Sequence, residues 1–512
     1  MKILTAAEMR EVDRLTIERG IPGLILMENA GSRVVDLLSE AFAPLDQQHV
    51  VVFCGKGNNG GDGFVVARQI FVRKLCRSLT VIEIFDPATL TGDAQANRRM
   101  LDVCGCPVLR ELPDDLPPAT IVVDAVLGTG LTGPAKGPAL DAIRVINRRF
   151  PSARKIAVDI PSGLPSDDWN GAGEFVYADY TVTFTALKRA QCLPPGYEAV
   201  GKLVVAPIGT PDELCQTNSS LKVNQTTQDD IRYLFAIRPH DSNKGMYGHV
   251  LVVGGSFGKS GAPAMAGFAA YRSGAGLVTV AVPKSVLTAV AAVRPELMTE
   301  SLEETETGRL PFSEAAHVLD LAKKMTVLAL GPGLGTEDGT VRLVKTLYEQ
   351  AEIPAVVDAD ALNALAGNLP HTDKIRILTP HPGEMARLTG TSVKQVQADR
   401  LGTAEHLASK SGATVVLKGD RTVIAFPDGE TWVNPTGSPS MATGGTGDIL
   451  TGMIAGLVGQ HPKDWKRAVV AAVWLHGRCG ELGGEEWGQE AMLATDLLDF
   501  LPEAMDELRP AI

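Results

Sequence analysis

Apolar runs of strand length alternate along this chain with stretches of helical spacing, and that alternation admits few folds. In the first half the runs cover residues 49–54, 79–85, 120–127, 155–160 and 180–184; in the second they cover 249–253, 277–282, 326–330, 355–357, 375–378 and 414–417. Strands separated by helices return to one sheet through crossovers, so they pair in parallel with helices over both faces. The predicted class is α/β. Before the first run, Leu15, Ile17, Leu24, Leu26 and Met27 keep helical spacing around the break Gly20-Ile21-Pro22-Gly23, so two helices open the chain. From Asp448 onward the pattern is helical again.

A chain of 512 residues exceeds what one hydrophobic core organises. The break falls in the polar, aperiodic stretch 210–230, which contains Thr217-Asn218-Ser219-Ser220 and Asn224-Gln225-Thr226-Thr227 and reads as a connection. Domains are therefore predicted at 1–218 and 226–512. A formal net charge of -12 opposes broad binding to nucleic acid or to an anionic membrane surface. The seven cysteines are scattered, and the one close pair, Cys104 and Cys106, lacks a second pair at zinc spacing, so reduced thiols are expected. Glu8, Glu11 and Asp13 interrupt any apolar leader, and no apolar run reaches the ~20 residues of a membrane span, which points to the cytoplasm.

Ligands of an open parallel sheet sit at the carboxyl ends of strands, where loop backbone is exposed and the next helix begins with unpaired amides. Two such loops, Gly55-Lys56-Gly57-Asn58-Asn59-Gly60 and Gly128-Thr129-Gly130-Leu131-Thr132-Gly133, satisfy G-x-G-x-x-G. Either alone reads equally as a tight turn or as a pyrophosphate cradle. Asp124 and Asp159 stand at the ends of two further runs, where a carboxylate caps a helix or serves a site. The convergence of these strand ends favours the site.

The set Leu26-Met27-Glu28-Asn29-Ala30-Gly31, Gly57-Asn58-Asn59-Gly60-Gly61-Asp62-Gly63, Val123-Asp124-Ala125-Val126-Leu127-Gly128-Thr129-Gly130 and Val158-Asp159-Ile160-Pro161-Ser162-Gly163 resembles the NAD(P)H-hydrate epimerase family over the whole N-terminal half. The resemblance implies a Rossmann-like domain that binds a dinucleotide as substrate. It assigns that binding to Asn58, Asn59, Gly60, Gly61 and Asp62, to Gly128, Thr129, Gly130, Leu131, Thr132, Gly133 and Pro134, and to Asp159. It also implies a potassium ion held by Asn59, Asp124 and Ser162. Epimerisation at C6 of the nicotinamide ring needs loss and return of the hydroxyl or opening of the ring, hence proton transfer, for which Asp159 and Asp124 are the candidates.

In the second half, Asn434-Pro435-Thr436-Gly437 precedes Ala442-Thr443-Gly444-Gly445-Thr446-Gly447-Asp448 and an apolar helix. Successive amides at a helix start form an anion hole for a transferring phosphoryl group, and the carboxylate behind them can take the proton of an attacking hydroxyl. The motif resembles that of ribokinase-like kinases, and Thr379-Pro380-His381-Pro382-Gly383-Glu384 is similar to their metal-linked motif, with Glu384 as an indirect magnesium group. His381 stands where many kinases carry Asn, so it is expected to contact substrate.

Together with Lys244-Gly245-Met246-Tyr247-Gly248-His249, Ser260-Gly261-Ala262-Pro263, Gly331-Pro332-Gly333-Leu334-Gly335, Val357-Asp358-Ala359-Asp360 and Lys418-Gly419, these motifs resemble the ADP/ATP-dependent NAD(P)H-hydrate dehydratases. That resemblance implies hydrate binding by Ala262, Gly333, His381 and Asp448, and nucleotide binding by Lys418, Gly419, Asp420, Arg421 and Thr422, with Gly445, Thr446 and Gly447 as the anion hole. The implied reaction phosphorylates the C6 hydroxyl and then expels phosphate, with Asp448 as base and magnesium on the phosphates. Three rivals stand beside it. The second domain could be a vitamin or sugar kinase, although His381 breaks that pattern. The first could be a redox dehydrogenase, but the ribose-binding carboxylate expected ~20 residues beyond its loop has no clean match, Glu83 and Asp86 lying further on. One half could be a binding module without turnover. The apolar N-terminal helices point to a homo-oligomer.

Overall fold

The computed structural model describes every residue except 114, 115, 117, 168–172 and 510–512. It divides into two compact units, Met1–Val223 and Asn224–Ile512.

The first unit is built on a seven-stranded sheet in the order Val108–Leu109, Ser78–Glu83, His49–Cys54, Ile121–Ala125, Arg154–Val158, Tyr180–Phe184 and Lys202–Ala206. Every pairing in it is parallel. Alternation along His49–Cys54 explains the layers: Val50, Val52 and Cys54 join one core with Val34, Leu38 and Phe64, while Val51 and Phe53 join another with Ile143, Ile146 and Phe150. The chain leaves His49–Cys54 towards one edge and returns beside it as Ile121–Ala125, so the strand order reverses between these two. A crevice must open there, and both glycine loops begin at it. A separate parallel pair joins Ile3–Leu4 to Leu187–Lys188.

The second unit carries a ten-stranded sheet, in the order Val223–Gln225, Thr431–Val433, Val423–Ala425, Thr414–Leu417, Arg376–Leu378, Ala355–Val357, Val327–Leu330, His249–Val253, Leu277–Pro283 and Met298–Leu302. It is parallel from Thr414–Leu417 onward and antiparallel where Thr414–Leu417, Val423–Ala425 and Thr431–Val433 meet. The stretch read as a connection is thus partly structured: Val223–Gln225 forms an edge strand, with the Asn224 side chain donating to the Thr431 carbonyl at 3.2 Å. An edge strand needs ladder hydrogen bonds more than apolar alternation, so a polar sequence conceals it.

The helix Thr446–Gln460 is buried along almost its whole length. It packs close on Gly261–Arg272 because glycine allows it. A Cβ on Gly452 would lie 2.1 Å from the Ala266 carbonyl, and one on Gly456 would lie 2.7 Å from that of Ala270. That contact fixes the position of Asp448, in the first turn of the same helix.

Candidate active sites

At the crevice of the first unit lies a cavity of about 920 Å³. Of the residues assigned from sequence, Asn58, Asn59, Asp62, Gly128, Thr129, Gly130, Leu131, Thr132 and Asp159 line it. Gly60 and Gly61 do not; a Cβ on Gly60 would lie 1.7 Å from the Gly55 carbonyl and one on Gly61 would lie 2.5 Å from Met27 Sδ, so they let the helix Asn58–Arg73 start against the loop and against Met27. Gly133 and Pro134 also stay off the wall.

Asp159 directly follows the strand Arg154–Val158 and adopts φ +65°, a left-handed conformation that Asp tolerates better than most residues. Its carboxylate receives Lys188 Nζ at 2.6 Å and the Thr183 hydroxyl at 3.1 Å. Lys188 is 1% exposed and also donates to Thr183 Oγ1, at 2.7 Å, and to the carbonyls of Phe184 and Ala186. A buried ammonium needs this many acceptors. Burial holds the Asp62 carboxyl well above the usual range, and the charges of Asp159 and Asp13 add to it while Lys188 opposes. Asp13, also on the cavity wall, is pushed up to about 6 by burial.

From Asn59 and Leu127 on the wall, one chain of hydrogen bonds runs inward to Ser162 and Asp124. The Ser162 hydroxyl donates to Asp124 Oδ1 at 2.6 Å, and the Ser162 amide donates to Oδ2 at 2.8 Å. Leu127 N–H donates to Ser162 Oγ at 2.8 Å, and Asn59 Nδ2 donates to the Leu127 carbonyl at 3.0 Å. Asn59 Oδ1 is buried with no hydrogen-bond partner, a costly state for an amide oxygen. Asp124 is 0% exposed and is not among the residues lining the cavity, and both of its carboxylate oxygens accept from Ser162. Burial pushes its carboxyl up to about 6, against its bonds from Ser162 and Val126.

In the second unit the converging groups are carboxylates around one lysine. Lys418 follows the strand Thr414–Leu417 and donates to Asp358 Oδ1 at 2.7 Å, with Glu384 Oε2 at 3.9 Å. The other oxygen of Asp358 accepts from the Thr451 hydroxyl at 2.8 Å. Burial would depress the Lys418 ammonium, but Asp358, Glu384 and Asp448 outweigh it and raise its affinity for the proton. Asp448 is pushed up to about 7, by burial first and by Asp358 second, against Lys418. A Cβ on Gly447 would lie 3.3 Å from Lys418 Nζ, which brings the glycine helix start and the lysine together.

His381 caps the helix Pro382–Thr389: its Nδ1 accepts from Gly383 N–H at 3.0 Å, and Glu384 reciprocates by accepting from His381 N–H at 2.8 Å. Burial, with Lys418 and Arg387, lowers its proton affinity, so the ring is neutral near pH 7. Ala262 and Gly333 are neighbours, since a Cβ on Gly333 would lie 3.5 Å from that of Ala262. In the loop after Lys418, Gly419 and Arg421 take φ +137° and +55°, and Thr422 Oγ1 donates to the Gly419 carbonyl at 2.9 Å. Asp13, Lys188 and Asp358 were not singled out for a role from sequence. Asp358 carries the same signal as Asp124 and Asp159, an acid at a strand end; Lys188 carries none, since its strand has two residues.

Residues 23–190 match the family described as YjeF-related protein N-terminus, and residues 250–503 match the family described as NAD(P)H-hydrate dehydratase. The chain is 43% identical to the bifunctional NAD(P)H-hydrate repair enzyme Nnr of Moorella thermoacetica, over 100% of its length and 98% of that protein. It is 39% identical to the protein of the same description from Thermofilum pendens, over 99% and 97%. Among solved structures, the ADP/ATP-dependent NAD(P)H-hydrate dehydratase of Bacillus subtilis, co-crystallised with ATP and Mg2+, is 37% identical with a TM-score of 0.50, covering 56% of this chain and 99% of its own.

Proposed function

This chain belongs to the family of bifunctional NAD(P)H-hydrate repair enzymes, and from that premise we propose how its two units divide the work. The protein interconverts the R and S epimers of hydrated NAD(P)H and dehydrates the S form to NAD(P)H at the expense of ADP or ATP. In the proposed division, the cavity of the first unit takes the dinucleotide for epimerisation and the lysine-centred cluster of the second carries out dehydration.

In the first unit the loops at Asn58 and Gly128 face the pyrophosphate, and Asp159, held by Lys188, faces the reacting end of the nicotinamide. Asn59, Asp124 and Ser162 would hold potassium, a reading supported by the unpartnered Asn59 Oδ1. The ion would offset charge near the pyrophosphate.

In the second unit the observation that carries the reading is the meeting of Lys418, Asp358 and Glu384 with Asp448 at a glycine helix start. Asp448 takes the proton of the C6 hydroxyl as that oxygen attacks the terminal phosphorus, which suits a carboxyl that titrates near neutrality. The amides of Gly445, Thr446 and Gly447 receive the phosphoryl charge, and Lys418 to Thr422 bind the nucleotide. Phosphate then leaves with the C6–O bonding pair as the N1 lone pair forms a C6=N1 iminium, and loss of a C5 proton puts the C–H pair into C5=C6, returning the dihydropyridine. Ala262, Gly333 and His381 hold the hydrate, His381 through the exposed edge of its ring, whose Nε2 lies 3.5 Å from Glu384 Oε1. Magnesium would neutralise the phosphates, with Glu384 acting on it through water.

Among the described residues no helix is long and apolar enough to cross a membrane. A cytoplasmic setting and self-association remain part of the proposal, supported by seven free cysteines and by Ile17 and Ile25, 47% and 49% exposed on the opening helices. Absorbance recovery from a mixture of both NADH-hydrate epimers, with magnesium and ADP or ATP, tests the whole reading. Complete recovery is expected. Recovery that stops at one epimer removes the epimerase half, and a stable phosphorylated dinucleotide without recovery supports the kinase alternative.

A further inference from the structure

Asp13 lies on the opening helix Ala6–Glu18, far in sequence from both glycine loops, yet its side chain lines the epimerase cavity beside Met9, Arg10 and Ile17. The helix is pinned at its start: Thr5 and Glu8 form a capping box, and Asp167 accepts from Ala6 N–H at 2.8 Å. One carboxyl oxygen of Asp13 is buried with no hydrogen-bond partner. Leaving such an atom unmet is costly, and a bound hydroxyl would satisfy it.

Three charged groups face Asp13 from other elements: Asp62 from the helix Asn58–Arg73, Asp159 from the end of Arg154–Val158, and Lys188 from Leu187–Lys188. Arg10 on its own helix, with Lys56 and Asp93, completes the charged lining nearby. Lys188 is committed to Asp159 at 2.6 Å, so the ion pair is made on one side of the cluster and Asp13 stands apart from it. Burial, aided by Asp159 and opposed by Lys188, pushes Asp13 up to about 6, where a carboxyl can give and regain a proton near neutrality.

Resting on the reading of this cavity as the epimerase site, we propose that Asp13 is the general acid of epimerisation. The C6–O bond breaks with its electron pair on oxygen, the Asp13 proton converts the departing group to water, and the N1 lone pair closes a C6=N1 iminium. A water molecule then adds to the opposite face of C6, its oxygen pair forming the new bond and its proton passing to Asp159. Return of that proton to Asp13 through cavity water closes the cycle with no other reactant.

The test is conversion of pure R hydrate to the S epimer by the full-length protein without nucleotide, so that dehydration is idle, after subtraction of the protein-free rate. D13N is expected to lower kcat about 10²-fold, the lower end of what general acid catalysis contributes. Its KM should stay within twofold of wild type, which a collapsed cavity would not give. Asp13→Glu should restore part of the rate. In wild type the rate should fall as pH rises through about 6, because the protonated carboxyl is the active form, and D13N should lack that limb. Unchanged kcat and pH profile in D13N, with an active wild type, overturns the role of Asp13 alone. A wild type that leaves the R epimer untouched overturns the epimerase reading of the cavity itself.

Discussion

Each unit sets a lysine beside an aspartate that directly follows a parallel strand, but the surroundings differ. Lys188 meets one carboxylate, Asp159, and spends its other donors on Thr183 and on the Phe184 and Ala186 carbonyls. Lys418 meets Asp358, with Glu384 at 3.9 Å and Asp448 close enough to raise its proton affinity. In the first arrangement the ion pair is one-to-one, and the neighbouring Asp13 and Asp62 are both held above the usual carboxylate range, which suits moving protons to and from an oxygen at C6. The second holds an excess of carboxylates, which suits a site whose nucleotide arrives with metal cations.

The largest effect should come from the excess side. Asp448→Asn is expected to lower dehydration by about 10²- to 10⁴-fold, the range for a lost general base, while nucleotide binding and R-to-S conversion persist. In wild type, dehydration should fall as pH drops below about 7, because a carboxyl raised by burial and by Asp358 is protonated there and cannot accept the hydroxyl proton. Lys418 opposes that rise, so a charge-removing change at Lys418 should move the acid limb to higher pH. Near-normal turnover in Asp448→Asn would break the contrast at its strongest point.

Stability sharpens the same contrast in the next range of magnitude. Lys418→Met strands Asp358, whose side chain is 2% exposed, and removing one partner of a buried pair costs about 3–5 kcal/mol. Lys188→Met strands Asp159 at 16% exposure on a water-accessible cavity, so the loss should be nearer the about 1–3 kcal/mol of unmet buried acceptors. Hydrogen exchange resolved along the full-length chain would read the two units separately. Equal losses, or a greater loss in the first unit, would mean that burial of the stranded carboxylate does not decide the cost.

Sequence carried the sheets well because period and length are local properties: Tyr180–Phe184, His249–Val253, Ala355–Val357 and Thr414–Leu417 occupy the predicted residues. It missed Val423–Ala425, Thr431–Val433 and Val223–Gln225, three-residue strands too short to show a period and held by antiparallel or edge pairing. In the sites, motif glycines were visible, but their division of labour was not. Gly60 and Gly61 serve packing, whereas Gly128 lines the cavity, and only the approach of Gly55 and Met27 tells them apart. Asp13 and Lys188 were hidden for a topological reason: they reach the crevice from the opening helix and from a two-residue strand, where no pattern marks a site.

The smallest expected effect concerns the oxygen cluster that runs inward from Asn59 on the wall of the first cavity, which has no counterpart among the groups described around Lys418. Asn59 spends its amide N–H on the Leu127 carbonyl, which also lies 3.2 Å from the Ser162 hydroxyl, and leaves Oδ1 buried without a partner, while Ser162 and Asp124 satisfy each other. A weakly hydrated monovalent cation would satisfy that oxygen without a donor, and binding only the folded state it would stabilise by about 1.4 kcal/mol at ten times its Kd. The thermal midpoint of the full-length protein should therefore be higher in potassium than in choline at equal ionic strength, so that surface screening is matched. Asn59→Leu should abolish the difference, because it removes the unpartnered oxygen while filling similar volume. Identical midpoints in the two salts would leave Asn59 Oδ1 as an ordinary unmet group and would reduce the contrast between the units to their lysines alone.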